Sequence, residues 1–403
     1  MTRLDERLDA IYTIGGGPGA NRPAYTPAED EAHALVEGWM GDAGLVVERD
    51  PAGNLVGRLA GRRPELPEVW TGSHVDSVPS GGRFDGPLGV LAGLEAVERI
   101  GRQERTLAVT VFRDEEGWRF GRGCFGSRAL CGAVQPGELD GRDAGGVTLR
   151  DAVGAALPAD GWLPPIHAYV EAHVEQGPVL SGLDAPLGVV TSVVGLARLS
   201  VAFRGLAGHA GTTPMAGRAD ALVAASRFVL AVNDAAARLC RPDPTGSRGA
   251  VATVGRLIVE PGAANVVPAC ATALVDARAP DEETLAALLS EIEAAADGGS
   301  VERLRFTSPV SMSAAVCDVL RAAIHDIGLD APELYSGAGH DAGPLGTAGV
   351  PVGMLFVRSR NGGVSHSPEE WSDPEDVALA VDALAGTLRR LAGEASLAPT
   401  ASP

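Results

Sequence analysis

The sequence predicts an α/β fold with a mixed sheet, interrupted by an inserted α+β domain. Three observations carry this. Short, mostly apolar runs such as 67–70 and 106–112 alternate with apolar-periodic helical stretches such as 88–100. Several of these runs end in turns carrying His, Asp or Glu, as strands do at the carboxyl edge of open α/β sheets. From about Leu196 the order becomes strand-helix-strand-strand-helix-strand, that of a compact α+β module. The expected domains are therefore 1–195 with 310–403, discontinuous, and an inserted 196–309.

The 403 residues suffice for two such domains. A net charge of −19 argues against nucleic acid or an anionic membrane as partner. All 33 basic residues are Arg, so Schiff-base chemistry through a lysine is excluded. The five Cys are scattered, odd in number and without a CxxC pair, which suits small apolar residues in a reducing compartment. The start is polar, and no run approaches the ~20 apolar residues that cross a bilayer. A cytoplasmic protein is expected.

Taken in order, residues 27–45 carry an amphipathic helical pattern starting at Thr26 or Pro27, on which His33 has no assigned role. Residues 45–47 and 54–59 read as a hairpin or two edge strands. The run 67–70 then meets a Gly-rich loop holding His74, Asp76 and Asp85. Neutral imidazole and ionised carboxylate are the usual nitrogen and oxygen ligands of a divalent cation. Asp76 is a further ligand or orients His74 from behind. Residues 88–100 form a helix.

The interior strand 106–112 ends in Arg113-Asp-Glu-Glu-Gly117. Neighbours on a strand face opposite ways, so Glu115 and Glu116 take different jobs, one as metal ligand and one as base. Residues 120–130 are Gly-rich without phosphate-loop spacing, so no nucleotide is read there. Residues 135–165 cover the surface. Strand 166–174 favours His173, at its end, over His167, which is expected to be a satisfied structural histidine.

In the inserted module, strand 196–203 leads to the loop 205–214 with His209. Helix 220–239, strands 251–259 and 269–277, helix 282–295 and strand 301–306 follow. Its edge strands suit pairing with a second subunit, so a homodimer is expected. Beyond it come helix 314–327 with a surface His325, a Gly-rich turn with His340 and Asp341, strand 350–357, a loop with His366, and helix 376–391. The last ten residues are expected to be disordered.

Each acidic or Gly-rich turn, taken singly, also reads as a solvated turn. Together, four segments place ligand-type residues after strands: His74 with Asp85, Glu115 with Glu116, His173, and His366. A two-metal hydrolytic site needs a bridging carboxylate, side ligands for each ion and a base for the shared water.

The runs Gly-Ser-His-Val-Asp-Ser-Val-Pro-Ser-Gly-Gly-Arg-Phe-Asp-Gly, Asp-Glu-Glu-Gly-Trp-Arg-Phe-Gly, His-Val-Glu-Gln-Gly-Pro-Val-Leu, Gly-His-Ala-Gly-Thr-Thr-Pro-Met and Gly-Ala-Gly-His-Asp-Ala carry a resemblance over about residues 26–392. They resemble the amidase, hydantoinase/carbamoylase family of M20-type metallohydrolases. That branch holds N-carbamoyl-L-amino-acid hydrolases, allantoate amidohydrolases and β-ureidopropionases. The resemblance implies a di-metal hydrolase domain with an inserted lid and dimerisation domain. It also implies two divalent ions per subunit, zinc first, with manganese, cobalt or nickel as alternatives.

By motif, the implied ligands are His74, Asp85 (bridging), Glu116, His173 and His366, with Asp76 supporting His74 and Glu115 as general base. Gln176, His209, Asn265, Arg278 and Gly339 are implied to bind the substrate, Arg278 by offering a planar fork to a carboxylate. The implied reaction is hydrolysis of a carbamoyl or ureido C–N bond, with His209 stabilising the oxyanion after lid closure. Allantoate or ureidoglycolate hydrolysis, or an M20-type peptidase or aminoacylase, are the alternatives. His173, where a peptidase would have a carboxylate, favours the carbamoyl reading. Two departures bear on the substrate: Gly343-Pro344 replaces a Met-containing turn, and Ala269 stands where Gly is usual.

Overall fold

A computed structural model of the chain describes residues 2–240 and 249–393; the expected disorder at 394–403 lies outside them. The strands in chain order are β1 (Val46–Arg49), β2 (Leu55–Leu59), β3 (Glu68–His74), β4 (Leu107–Phe112), β5 (Ile166–Val174) and β6 (Leu187–Val193). They continue with β7 (Gly195–Arg204), β8 (Val251–Glu260), β9 (Cys270–Ala279), β10 (Gly299–Thr307), β11 (Val310–Ser311), β12 (Glu333–Ser336) and β13 (Val352–Val357).

One compact unit runs to Thr191 and takes in Met312–Leu334 and the chain from Gly339. Its sheet follows the order β1-β2-β4-β3-β5-β13-β6. The interior pairs β4-β3, β3-β5 and β5-β13 are parallel, whereas β1-β2, β2-β4 and β13-β6 are antiparallel. Strands β4 and β13 are buried throughout, which is why they read as continuous apolar runs rather than alternating ones. The helix Pro87–Ile100 has Pro at its first position and is buried on nearly every face. It packs against β3, β5 and the helix Pro374–Gly393.

Strand β3 runs on through His74, four residues beyond the expected 67–70. Strand β6 was not anticipated as a separate element. Its run Leu-Gly-Val-Val-Thr-Ser-Val gives no periodic signal, because both faces are covered. The helix Arg3–Tyr12, closed by a capping box between Thr2 and Asp5, was also not anticipated.

The second compact unit comprises Ser192–Ser311 with Tyr335–Ala338. Its antiparallel sheet follows β10-β7-β9-β8. Strand β7 alternates buried and open residues, and its inward Leu199, Val201 and Phe203 share a core with Phe228, Leu288 and Ile292 from two helices. Those helices are Ala221–Leu239, capped by Asp220, and Glu282–Ala295, capped by Asp281. Among the described residues no helix is long and apolar enough to cross a membrane.

Candidate metal centre

The centre is assembled from the carboxyl ends of parallel strands in the first unit. Register sets His74, the last residue of β3, opposite Phe112, the last of β4. It likewise sets His173 on β5 opposite Phe356 on β13. The His74 and His173 rings stack with centroids 6.0 Å apart. Glu115 and Glu116 stand just past the end of β4, in a turn begun by Asp114 at φ 53°, rather than on the strand itself. They still face different partners.

Asp85 lies between two sets of donors. Its Oδ1 is 3.3 Å from Nε2 of His173 and 3.8 Å from Nε2 of His74. Its Oδ2 is 3.3 Å from Nε2 of His366, and that nitrogen is 3.2 Å from Oε2 of Glu116. Glu115 points its Oε2 at His74 Nε2, 3.7 Å away. In the groups His74/Asp85/His173 and Asp85/Glu116/His366, one donor atom per residue lies within 4.8 Å of the others.

Such sets fit divalent cations, for two reasons. Mixed imidazole and carboxylate donors are their ordinary ligands, and one carboxylate shared between two groups is the feature of a two-metal site. The buried Nε2 of His74 also has no hydrogen-bond partner within the described structure, an expensive arrangement for a polar atom unless it serves as a ligand.

The surroundings orient these donors. The carbonyl of Val174 is 2.9 Å from His173 Nδ1 and takes its N–H, which fixes the ring with Nε2 turned towards Asp85. Asp76 Oδ1 is 3.3 Å from His74 Nδ1, and its two oxygens accept the backbone N–H groups of Glu115 and Glu116, each at 3.2 Å. Gly86, at φ 84°, lies against the His74 ring; a Cβ there would stand 2.5 Å from it. Gln176 (φ 56°) and His366 (φ 53°) are non-glycine residues in left-handed backbone, a conformation that concentrates at functional sites.

Electrostatics follow the geometry. Burial pushes Glu115 well above the usual carboxylate range, with Asp341 and Glu116 adding to it against His74. Burial and Asp85 raise Glu116. For Asp85, burial is overcome by the hydrogen bonds of His173 and His366, which hold it well below the ordinary range. Asp85 and Glu116 push His366 up to about 11. Ligation by a cation would have to displace that proton.

Gln176 sits on the bridging carboxylate itself, donating from Nε2 to Asp85 Oδ2 at 3.0 Å. Gly339 is exposed in the turn before His340. The remaining predicted substrate residues belong to the second unit. His209 is exposed and accepts the N–H of Gly211 (3.1 Å) and of Thr212 (3.3 Å) on Nδ1, which leaves the hydrogen on Nε2. Asn265 neighbours it, its carbonyl accepting the N–H of Ala210 at 2.9 Å. Arg278 on β9 is held by Asp276 Oδ1 (2.8 Å) and the Gly337 carbonyl (2.8 Å).

His167 departs from expectation. Its half-buried ring leaves Nε2 without a hydrogen-bond partner within the described structure, and burial with nearby Arg105 lowers it to about 4. Sequence reasoning also gave no role to several groups that the structure buries. Glu171 accepts Ser73 Oγ (2.8 Å) and the Ala342 N–H (3.0 Å). Its donor atoms group with those of His173 and His340, whose rings are 4.4 Å apart. Asp341 accepts Ser127 Oγ at 2.6 Å and is raised to about 8, by burial first and then by Glu171. The period of two from Glu171 to His173 was the available signal.

Residues 70–390 match the model of Peptidase family M20/M25/M40. The chain is 39% identical to an N-carbamoyl-L-amino acid amidohydrolase of Geobacillus stearothermophilus, over 97% of this chain and 98% of the relative. It is 33% identical to a ureidoglycolate hydrolase of Arabidopsis thaliana, over 96% and 86%. The crystal structure of an amidase of the hydantoinase/carbamoylase family from Burkholderia multivorans superposes with a TM-score of 0.86 at 34% identity, covering 97% of this chain and 98% of that one.

Proposed function

Since the chain belongs to Peptidase family M20/M25/M40, we propose that it is a metal-dependent amidohydrolase that cleaves the carbamoyl C–N bond of N-carbamoyl-L-amino acids or related ureido acids. Water is consumed; the amino acid, ammonia and carbon dioxide are released. The observation that carries this reading is Asp85, whose two oxygens face separate donor groups while Glu115 stands beside His74. Full-length similarity to a carbamoyl amidohydrolase supports the bond class.

In this reading His74, Asp85 and His173 hold one divalent cation, and Asp85, Glu116 and His366 the other, zinc first, with manganese, cobalt or nickel as alternatives. Such cations lower the pKa of a water and polarise a carbonyl oxygen. Glu115, raised by burial, takes the proton from the attacking water and delivers it to the leaving nitrogen. Asp76 keeps both glutamates and His74 in place. His209, its hydrogen on Nε2, donates to the oxygen that gains charge. Gln176, Asn265, Arg278 and Gly339 bind the substrate, with the Arg278 fork taking a carboxylate.

The second unit serves as lid and dimerisation domain. The open edge strands β8 and β10 support a homodimer, with exposed Val251, Leu257 and Ile258 on one and Leu304 and Phe306 on the other. Five unpaired cysteines fit a reducing, cytoplasmic setting.

Ureidoglycolate or allantoate as substrate is the second reading, favoured by the likeness to the Arabidopsis enzyme. Ammonia release from a panel of N-carbamoyl-L-amino acids, N-carbamoyl-β-alanine, allantoate and ureidoglycolate, with dipeptides as control, tests both. Turnover of dipeptides alone would defeat the proposal.

A further inference from the structure

Glu370 stands in Ser365-His-Ser-Pro-Glu-Glu-Trp371, a polar run that reads as a solvated loop, yet it is only 2% exposed. Each of its oxygens is committed. Oε1 accepts the backbone N–H of Phe84 at 2.8 Å and of Asp85 at 3.0 Å. Oε2 accepts the Ser365 hydroxyl at 2.5 Å. That hydroxyl is also 3.3 Å from Asp85 Oδ2, but it has a single proton, and the shorter contact assigns the proton to Glu370. Gln176 Nε2 donates to Ser365 Oγ at 3.2 Å and to Asp85 Oδ2 at 3.0 Å, closing the ring.

Ser365 immediately precedes His366, whose backbone is held at φ 53°. Space for the carboxylate is left by Gly82, where a Cβ would meet the Glu370 carboxyl group at 2.2 Å. The edge-on contact of Phe84 with Trp371, centroids 5.6 Å apart, secures the same two loops.

We propose that Glu370 is a positioning residue for the Asp85/Glu116/His366 cation site, tying the main chain of the bridging Asp85 to the loop that carries His366. This rests on the metal-centre reading given above. A carboxylate that only stapled two loops would support both cation sites alike. Glu370 instead holds, through Ser365, the loop of His366, a donor of one site alone, while its hold on the Asp85 main chain is common to both. A glutamine at this position keeps a carbonyl oxygen for the two N–H groups, and its amide can donate to Ser365 Oγ, so it should preserve the link.

The test is stepwise zinc binding to the full chain, read by elemental analysis and by competition with a chromophoric chelator, with thermal unfolding alongside. Wild type, Glu370→Ala, Glu370→Gln, Ser365→Ala and, as reference, His366→Ala are compared. Wild type is expected to bind two zinc ions. Glu370→Ala should keep one and weaken the equivalent that His366→Ala removes, by roughly 10- to 100-fold. Glu370→Gln should restore most of that affinity, and Ser365→Ala should weaken the same equivalent less. Wild-type affinity at both sites in Glu370→Ala, or equal weakening of both, overturns the proposal. If Glu370→Ala fails to fold, Ser365→Ala decides, and an unchanged second affinity overturns it. Wild-type chain that binds no zinc defeats the metal-centre reading itself, and the clamp with it.

Discussion

Asp76 stands 3.3 Å from Nδ1 of His74, on the edge of the ring opposite the Nε2 that faces Asp85. The same carboxylate accepts the N–H groups of Glu115 and Glu116, so one side chain fixes a candidate ligand, the candidate base and a second candidate ligand. Asp76→Ala should therefore lower kcat/KM and cation affinity together, each by roughly 10- to 100-fold. Steady-state kinetics with a parallel metal titration checks this. Loss of activity with wild-type metal affinity would separate the base from the ligands and contradict the shared role.

Glu115→Gln keeps the volume of the side chain and removes the base. Turnover should fall by roughly 100- to 10,000-fold while metal content stays at the wild-type level. Rates and elemental analysis on the same preparation give the answer. A fully active variant would move the base to another residue.

Gly86 permits the close approach of main chain to His74. Gly86→Ala forces a Cβ to within 2.5 Å of the ring and places Ala at φ 84°. Destabilisation of roughly 1–3 kcal/mol is expected from the backbone alone. Displacement of His74 should lower cation affinity beyond that, measured by thermal unfolding and metal titration.

His33 supplies a pH dependence remote from the metal centre. It is fully buried, neither ring nitrogen has a hydrogen-bond partner within the described structure, and its Nε2 is 3.7 Å from Glu29 Oε1. Burial first, then Arg113, holds its pKa below the ordinary 6.5. The unfolded chain takes up a proton near that pH and the folded chain does not. This contribution is therefore complete above 6.5 and is lost as pH falls below it. In urea unfolding compared between about pH 8 and about pH 5.5, His33→Leu should lose stability less steeply than wild type. Glu29, kept below 4.5 despite burial by His33 and Arg113, adds its own loss only at lower pH.

What the sequence revealed was the part of the centre set by local order. His74, Glu115, Glu116 and His173 each sit at or just past a strand's carboxyl end, where an apolar run stops and a polar turn begins, and His366 lies in the loop nine residues after β13. Asp85 was legible from its Gly-rich loop. Hidden were the groups whose setting is made by distant chain. Glu370 looks solvated in its polar run, and the space for its carboxylate is left by Gly82, far off in sequence. Asp341 was visible in its motif, but its partner Ser127 was not. Strand β6 was concealed because coverage on both faces erases the alternation that would have marked it.

The most direct measurement is hydrolysis of an N-carbamoyl-L-amino acid by the full chain before and after exhaustive chelation, followed by return of a single divalent cation. The expected result is loss of ammonia release on chelation and its recovery when two equivalents per chain are restored. Undiminished hydrolysis by metal-free protein would contradict a centre built on Asp85.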